Sequence, residues 1–160
     1  MDQPETNWTV VEPGLFYSLL VSYLYPVVDL RSAENYAKAC LATAQSSPPG
    51  TCSWTDEFGA DLKDTVLVYN QDGNVTGEQR KVINLIRQDT RVKRIYLLQH
   101  GFQNFKDHYP FLVGTSKGPA GCYPAEILPY LYLGGSMSSS DPLVLQDLKV
   151  TYANSLYIDR

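Results

Sequence analysis

Thr65-Val66-Leu67-Val68-Tyr69 is the stretch that decides the architecture, because it is a nearly continuous apolar run of strand-forming residues. A strand that is apolar on both faces needs helices over both, so the run predicts the centre of a parallel sheet. Downstream it opens into the polar turn Asn70-Gln71-Asp72-Gly73-Asn74. A helix follows over residues 77–88, with Val82, Ile83, Leu85 and Ile86 marking its inner side. The basic lead-in Arg91-Val92-Lys93-Arg94 introduces another apolar strand, Ile95-Tyr96-Leu97-Leu98. From Gly101 onward, Phe102, Phe105 and Tyr109 recur at spacings of three and four, which predicts a further helix.

Upstream of the central run, Pro26-Val27-Val28-Asp29-Leu30-Arg31 reads as a short buried strand. Ser32 then offers an N-cap for a short helix over residues 33–38. Before it, Glu12-Pro13 with Leu15, Phe16, Leu19 and Leu20 predicts a first helix, with proline in the opening turn. Residues 45–53 are rich in Ser and Pro and read as loop. Strands alternating with helices in this order predict an α/β fold, a parallel sheet with helices on both faces.

The 160 residues, 44% hydrophobic and 19% charged, suffice for one complete domain and a short remainder. A net charge of −4, with Lys and Arg scattered singly or in twos, leaves no electrostatic footprint for nucleic acid or an anionic membrane. No run approaches the roughly 20 apolar residues of a membrane span. Residues 1–10 carry Asp2 and Glu5 and lack the basic and apolar regions of a secretory signal. Cys40, Cys52 and Cys122 are an odd number without Cys-x-x-Cys spacing, so reduced thiols and an intracellular, cytoplasmic location are expected. With only His100 and His108 to join them, no metal site and no cofactor is expected.

Residues 1–113 thus form the α/β domain, and the Gly-, Ser- and Pro-rich residues 114–122 a linker. Residues 123–160 hold two short strands and one helix around 142–148, too little to close a second core. Ile127, Leu131 and Leu133 are then expected to lack burial, and the segment to be loosely held.

Val28-Asp29-Leu30-Arg31-Ser32, followed by Glu34 and Tyr36, resembles the early strand-and-helix signature of rhodanese domains, in which an aspartate ends a strand and an arginine and a glutamate follow. Val66 to Tyr69 resembles the strand that feeds their active loop. Leu98-Gln99-His100-Gly101-Phe102, with Phe105, resembles their late turn before an aromatic-rich helix. Tyr123-Pro124-Ala125-Glu126-Ile127-Leu128-Pro129-Tyr130-Leu131-Tyr132-Leu133-Gly134-Gly135, with residues 141–149, is similar to the opening of the dual-specificity phosphatase domain. The combined layout is that of the MAP kinase phosphatases and of their inactive relatives, the serine/threonine/tyrosine-interacting-like pseudophosphatases. Residues 12–20 and Asp147-Leu148-Lys149 look closer to the latter.

The resemblance implies where chemistry would be sought. A rhodanese transfers sulfur through a cysteine at the first loop position after the central strand, where backbone N–H groups stabilise the anion. Here that position is Asn70; Asp72 adds negative charge, and no Arg or Lys follows before Arg80. Residues 70–74 read most simply as a polar turn with Gly73 supplying a permissive backbone, a degenerate anion site being the alternative. The phosphatase family's His-Cys pair and phosphate-clamping Arg do not occur in the sequence, so the second match implies ancestry and not activity. Cys40 is expected to pack as a small hydrophobe and Cys122 to be exposed, while His100 and His108 read as turn and surface residues. A sulfur carrier using Cys40 or Cys52 is disfavoured, since neither follows the loop-feeding strand.

MAP kinase phosphatases dock kinases through an arginine cluster soon after the segment matching residues 41–44, but residues 45–52 here hold no basic residue. Arg91, Lys93 and Arg94 are the basic cluster left, either a solvated face or a protein-docking cluster. The resemblance implies no enzyme but a catalytically inactive rhodanese-like interaction or regulatory module of a pseudophosphatase. Its partners would be signalling proteins such as MAP kinase or phosphatase pathway components. The alternative is a truncated form of an active MAP kinase phosphatase whose catalytic loop is missing here.

Overall fold

The run at 65–69 is the middle strand of five in the computed structural model, which describes residues 7–47, 64–114 and 123–154. In chain order residues 9–114 contain β1 (Thr9–Val11), α1 (Pro13–Tyr23), β2 (Val27–Asp29), α2 (Ala33–Lys38), β3 (Cys40–Leu41), β4 (Gln45–Ser46), β5 (Thr65–Tyr69), α3 (Gly77–Gln88), β6 (Arg94–Leu98), α4 (Gly101–His108) and β7 (Val113–Gly114). The main sheet has the order β1-β6-β5-β2-β4 and is parallel throughout, with Val28 opposite Val68 and Leu67 opposite Tyr96. β3 and β7 form a small antiparallel pair.

The alternation of side chains along β5 sorts the core into two layers. Leu67 and Tyr69 pack with Phe16, Tyr17 and Leu20 of α1 and Phe102 and Phe105 of α4. Val66 and Val68 point the other way, onto Val82, Ile83 and Ile86 of α3. The sheet is therefore sandwiched between helices, as the apolar run requires. Each fully buried Val, Leu, Ile or Phe contributes about 1.5–3 kcal/mol of transfer free energy. The local signals read from sequence are in place: the Ser32 hydroxyl accepts from the Asn35 amide at the start of α2, and Pro13 opens α1.

Four strands depart from the sequence reading: β3 and β7, whose pairing takes Gly114 out of the expected linker, and β4 and β1. Gln45 and Ser46, expected as loop, form β4 at the sheet edge, opposite Val28 and Asp29, and the Ser47 amide donates to the Asp29 carbonyl at 2.9 Å. A two-residue polar edge strand has no periodicity to betray it; the rest of that stretch, residues 48–53, lies outside the described residues. β1 at the opposite edge went unread because only Val11 of its three residues is buried. Among the described residues no helix is long and apolar enough to cross a membrane.

The C-terminal segment comprises the hairpin β8 (Ala125–Leu128) and β9 (Leu131–Leu133), then α5 (Ser136–Ser140) and α6 (Pro142–Asp147). Residues 115–122, most of the stretch expected as a linker, lie outside the described residues. Ile127, Leu131 and Leu133 remain 53%, 51% and 67% exposed, so these side chains close no second core. Yet β8 is tied to α1. The Tyr17 hydroxyl donates to the Pro124 carbonyl at 2.8 Å, and the Ser18 hydroxyl both donates to the Glu126 carbonyl (3.0 Å) and accepts from its amide (3.2 Å). The Tyr109 hydroxyl donates to Glu126 Oε2 at 2.6 Å. Burial, reinforced by that bond to Glu126, pushes the Tyr109 phenol far above its ordinary pKa, so it stays a donor at any physiological pH.

A hydrogen bond to a charged acceptor contributes about 1.5–3 kcal/mol. Tyr109→Phe, which keeps the ring stacked on Tyr17 at 4.5 Å, is therefore expected to speed amide exchange in residues 125–128 by about tenfold while leaving β5 protected. Exchange mass spectrometry that found no change there would show that the Glu126 contact does not hold the segment.

Candidate functional site

The loop after β5 lies at the carboxyl end of the central parallel strand, the position where open α/β sheets receive ligands. Asn70 follows β5 directly and is 1% exposed. Its carboxamide is engaged on every side within the loop: Nδ2 donates to the Asn74 carbonyl (2.7 Å) and to Gln79 Oε1 (3.1 Å), and Oδ1 accepts from the Gly73 amide (2.7 Å). Asp72 Oδ1 accepts from the Asn74 amide at 3.0 Å, and Gln79 Oε1 from the Thr76 amide at 3.1 Å. The Thr76 hydroxyl in turn accepts from the Gln79 amide, completing a capping box at the start of α3.

The chemical consequence follows from counting donors. An anion cradle needs backbone N–H groups aimed at the ligand. The Gly73, Asn74 and Thr76 amides each donate instead to a side chain of this same segment. The Asn74 amide, and then its side chain, hold the exposed Asp72 carboxyl below the usual carboxylate range. It is thus ionised at neutral pH and repels an incoming anion. At the loop's first position stands a carboxamide, which has neither a thiolate's nucleophilicity nor a titratable proton. Asn70→Ala would leave the Gly73 amide and the Asn74 carbonyl without their partners. The expected loss is about 2 kcal/mol of stability in urea unfolding, and an unchanged midpoint would mean the carboxamide does not organise the loop.

Beneath the loop lies a buried ionic network. Asp29 is 0% and Arg31 4% exposed. Arg31 Nη2 donates to Asp29 Oδ2 at 2.6 Å and to the Ala39 carbonyl at 2.6 Å, and Nε donates to Asp29 Oδ1 at 3.0 Å. The Tyr69 hydroxyl donates to Asp29 Oδ2 (2.6 Å) and accepts from the Leu41 amide (3.2 Å). The guanidinium sits 3.7 Å from the Phe102 ring centroid. Burial acts to lower the Arg31 pKa, but the bond and charge of Asp29 outweigh it and the net shift is upward. Burial first, then the Asp29 charge, drive the Tyr69 phenol far up. The network joins β2, β5, β3 and α4, and both Asp29 oxygens and the Tyr69 hydroxyl are taken up within it, so it positions the loop.

The other residues singled out in the sequence lie apart. Cys40 is buried in the core on β3. His100 is exposed with φ +64°, and His108 is exposed, its Nδ1 2.7 Å from the Asn104 carbonyl. Cys52 and Cys122 lie outside the described residues. No group of three or more His, Cys, Asp or Glu side chains that could hold a metal ion occurs among the described residues. Arg91, Lys93 and Arg94 gather at the amino end of β6, a strand's length of roughly 17 Å from the Asn70 loop. Arg91 pairs with Asp89 at 2.7 Å and Arg94 with Asp64 at 3.1 Å, both at the surface. Gln79 is the organiser that sequence reading missed; the Thr76-x-x-Gln79 spacing of a capping box was the signal for it.

No protein-family model matches the chain, and no curated protein does. Among solved structures, the chain is similar to a Saccharomyces cerevisiae protein described as a homologue of single-domain rhodanese and of the Cdc25 phosphatase catalytic domain. The identity is 17%, over 72% of this chain and 93% of that one, with a TM-score of 0.49. It is also similar to the rhodanese-like domain of an Anabaena protein (17% identity, 81% and 97% of the two chains, TM-score 0.45). A third is the BH2092 protein of Bacillus halodurans (18%, 63% and 72%, TM-score 0.46). At these identities the likeness is one of fold alone.

Proposed function

We propose that the chain is a catalytically silent rhodanese-like module of the pseudophosphatase kind, which binds signalling proteins and turns over no substrate. The observation that carries this reading is the Asn70 loop. It stands where an open parallel sheet receives a ligand, but a buried carboxamide fills its first position and three of its amides, those of Gly73, Asn74 and Thr76, donate to Asn70, Asp72 and Gln79. A loop so arranged holds its shape without an anion, as a scaffold does. The segment from Tyr123, resembling the opening of a phosphatase domain, adds structure to the scaffold: its half-buried contact of Glu126 with Tyr109 clamps it to the sheet-and-helix body.

The test is turnover of the purified chain with thiosulfate and cyanide, and separately with a phosphotyrosine mimic. Rates equal to a no-protein blank are expected in both. Sulfur transfer above the blank, lost in Asn70→Ala, would overturn the reading.

A further inference from the structure

At the end of the sheet opposite the Asn70 loop, the amino ends of β1 and β6 border a cavity of about 520 Å³ lined by Trp8, Arg87, Lys93, Arg94, Ile95 and Tyr96. Two of the three cations in the sequence's basic cluster therefore line a concavity at the surface. The charge around it runs against that of the whole chain, which is −4. Among the described residues, Arg87, Lys93 and Arg94 line it and Asp64 pairs with Arg94, an excess of two positive charges. Lys93 has no ion-pair partner among the described residues, and its charge helps hold the Asp64 carboxyl below the usual range, after the Thr65 hydroxyl and Arg94. Arg87 is turned back onto the Val92 and Lys93 carbonyls, which fixes the chain that carries Lys93. The Arg94–Asp64 pair is exposed, and surface pairs of this kind are worth about 0–1 kcal/mol, so a second carboxylate can share Arg94 at little cost. The Arg80 guanidinium, 5.1 Å from the Trp8 ring centroid, holds the indole at the cavity's border.

We propose that this cleft docks an acidic segment of a partner protein. Its carboxylates would lie on Lys93 and Arg94, with one apolar side chain against the half-buried Trp8 indole. The positive excess selects an anionic partner. The Trp8 indole at the cavity's border and the shortness of the basic cluster favour a peptide with a side-chain anchor over a polyphosphate backbone, which needs an extended basic stripe. The inference rests on the reading of the chain as a binding module and gives that module a surface and a partner chemistry.

The experiment uses the full chain and a fluorescein-labelled synthetic peptide of Glu residues around a single Leu, titrated by anisotropy at low and at physiological salt. Saturable binding that weakens with salt is expected, with an affinity loss of about tenfold or more in Lys93→Glu/Arg94→Glu. Lys93→Glu alone leaves the Arg94–Asp64 pair intact and is expected to fall between, which guards against a folding defect in the double variant. The same peptide with Gln for Glu is expected not to bind. Absence of binding, indifference to charge reversal, or tighter binding of a single-stranded oligonucleotide or of phosphatidylserine vesicles would overturn the proposal. Thiosulfate turnover measured on the same preparation separates the two ideas: turnover overturns silence and leaves the cleft standing, whereas silence without peptide binding removes the cleft alone.

Discussion

Arg31→Ala is expected to destabilise the domain by about 3–5 kcal/mol, the cost of breaking a buried ion pair from one side. The reason lies in what remains. Asp29, at 0% exposure, would keep the Tyr69 hydroxyl and the Arg31 backbone amide (2.9 Å) as donors but lose the guanidinium that neutralises it. The Ala39 carbonyl would lose its donor at 2.6 Å, and Phe102 the cation over its face. A domain of this kind is stable by about 5–15 kcal/mol, so the variant loses a large share of the total. Removing both charges, in Asp29→Ala/Arg31→Ala, leaves no isolated ion and is expected to cost clearly less than the sum of the two single changes. Urea unfolding of the four proteins in the cycle measures this. A single-variant loss below about 1 kcal/mol, or strict additivity, would show that the pair contributes as two independent polar groups.

Part of this architecture was legible in the sequence because it is local. The strand at 65–69, the helix over 77–88 and the cap at Ser32 depend on periodicity and on side chains within four residues, and they stand where the pattern puts them. What escaped is what depends on remote pairing. β4 exists because β2 presents an open edge to it, and β1 because β6 does. The anchoring of β8 joins Ser18 to Glu126 across 108 positions, and no local pattern encodes it. At the site, the position of Asn70 after the central strand was legible from the order of elements, but its burial and threefold engagement were not, since they require the loop to fold back on α3. The basic cluster was legible as charge. That Asp89 and Asp64 offset Arg91 and Arg94, while Lys93 faces a cavity with Trp8, is a matter of which strands lie side by side.

The second large effect is expected from Gly101→Ala, and it follows from how closely two backbones approach. Gly101 opens α4 at φ +71°, a left-handed conformation that costs a residue with a Cβ about 1–2 kcal/mol. An added Cβ would also sit 2.4 Å from the Asp72 amide nitrogen and 2.5 Å from the Gln71 carbonyl carbon and oxygen. Those neighbours are backbone and cannot rotate aside, so the loop at 70–74 must move as a body. Moving it pulls the Asn70 carbonyl from the Phe102 amide, now at 2.9 Å, and disturbs the Gly73 amide bond to Asn70. Strain, steric displacement and a lost hydrogen bond together lead to an expected destabilisation above about 3 kcal/mol. Urea unfolding measures the total, and amide exchange locates it: protection is expected to fall across residues 70–76 and remain in β6. The acidic-peptide cleft lies at the other end of β6, so the variant, wherever it is still folded, is expected to bind the peptide with unchanged affinity. A parallel loss of peptide binding would mean that the two ends of the sheet are coupled, and that the Asn70 loop shapes the docking surface.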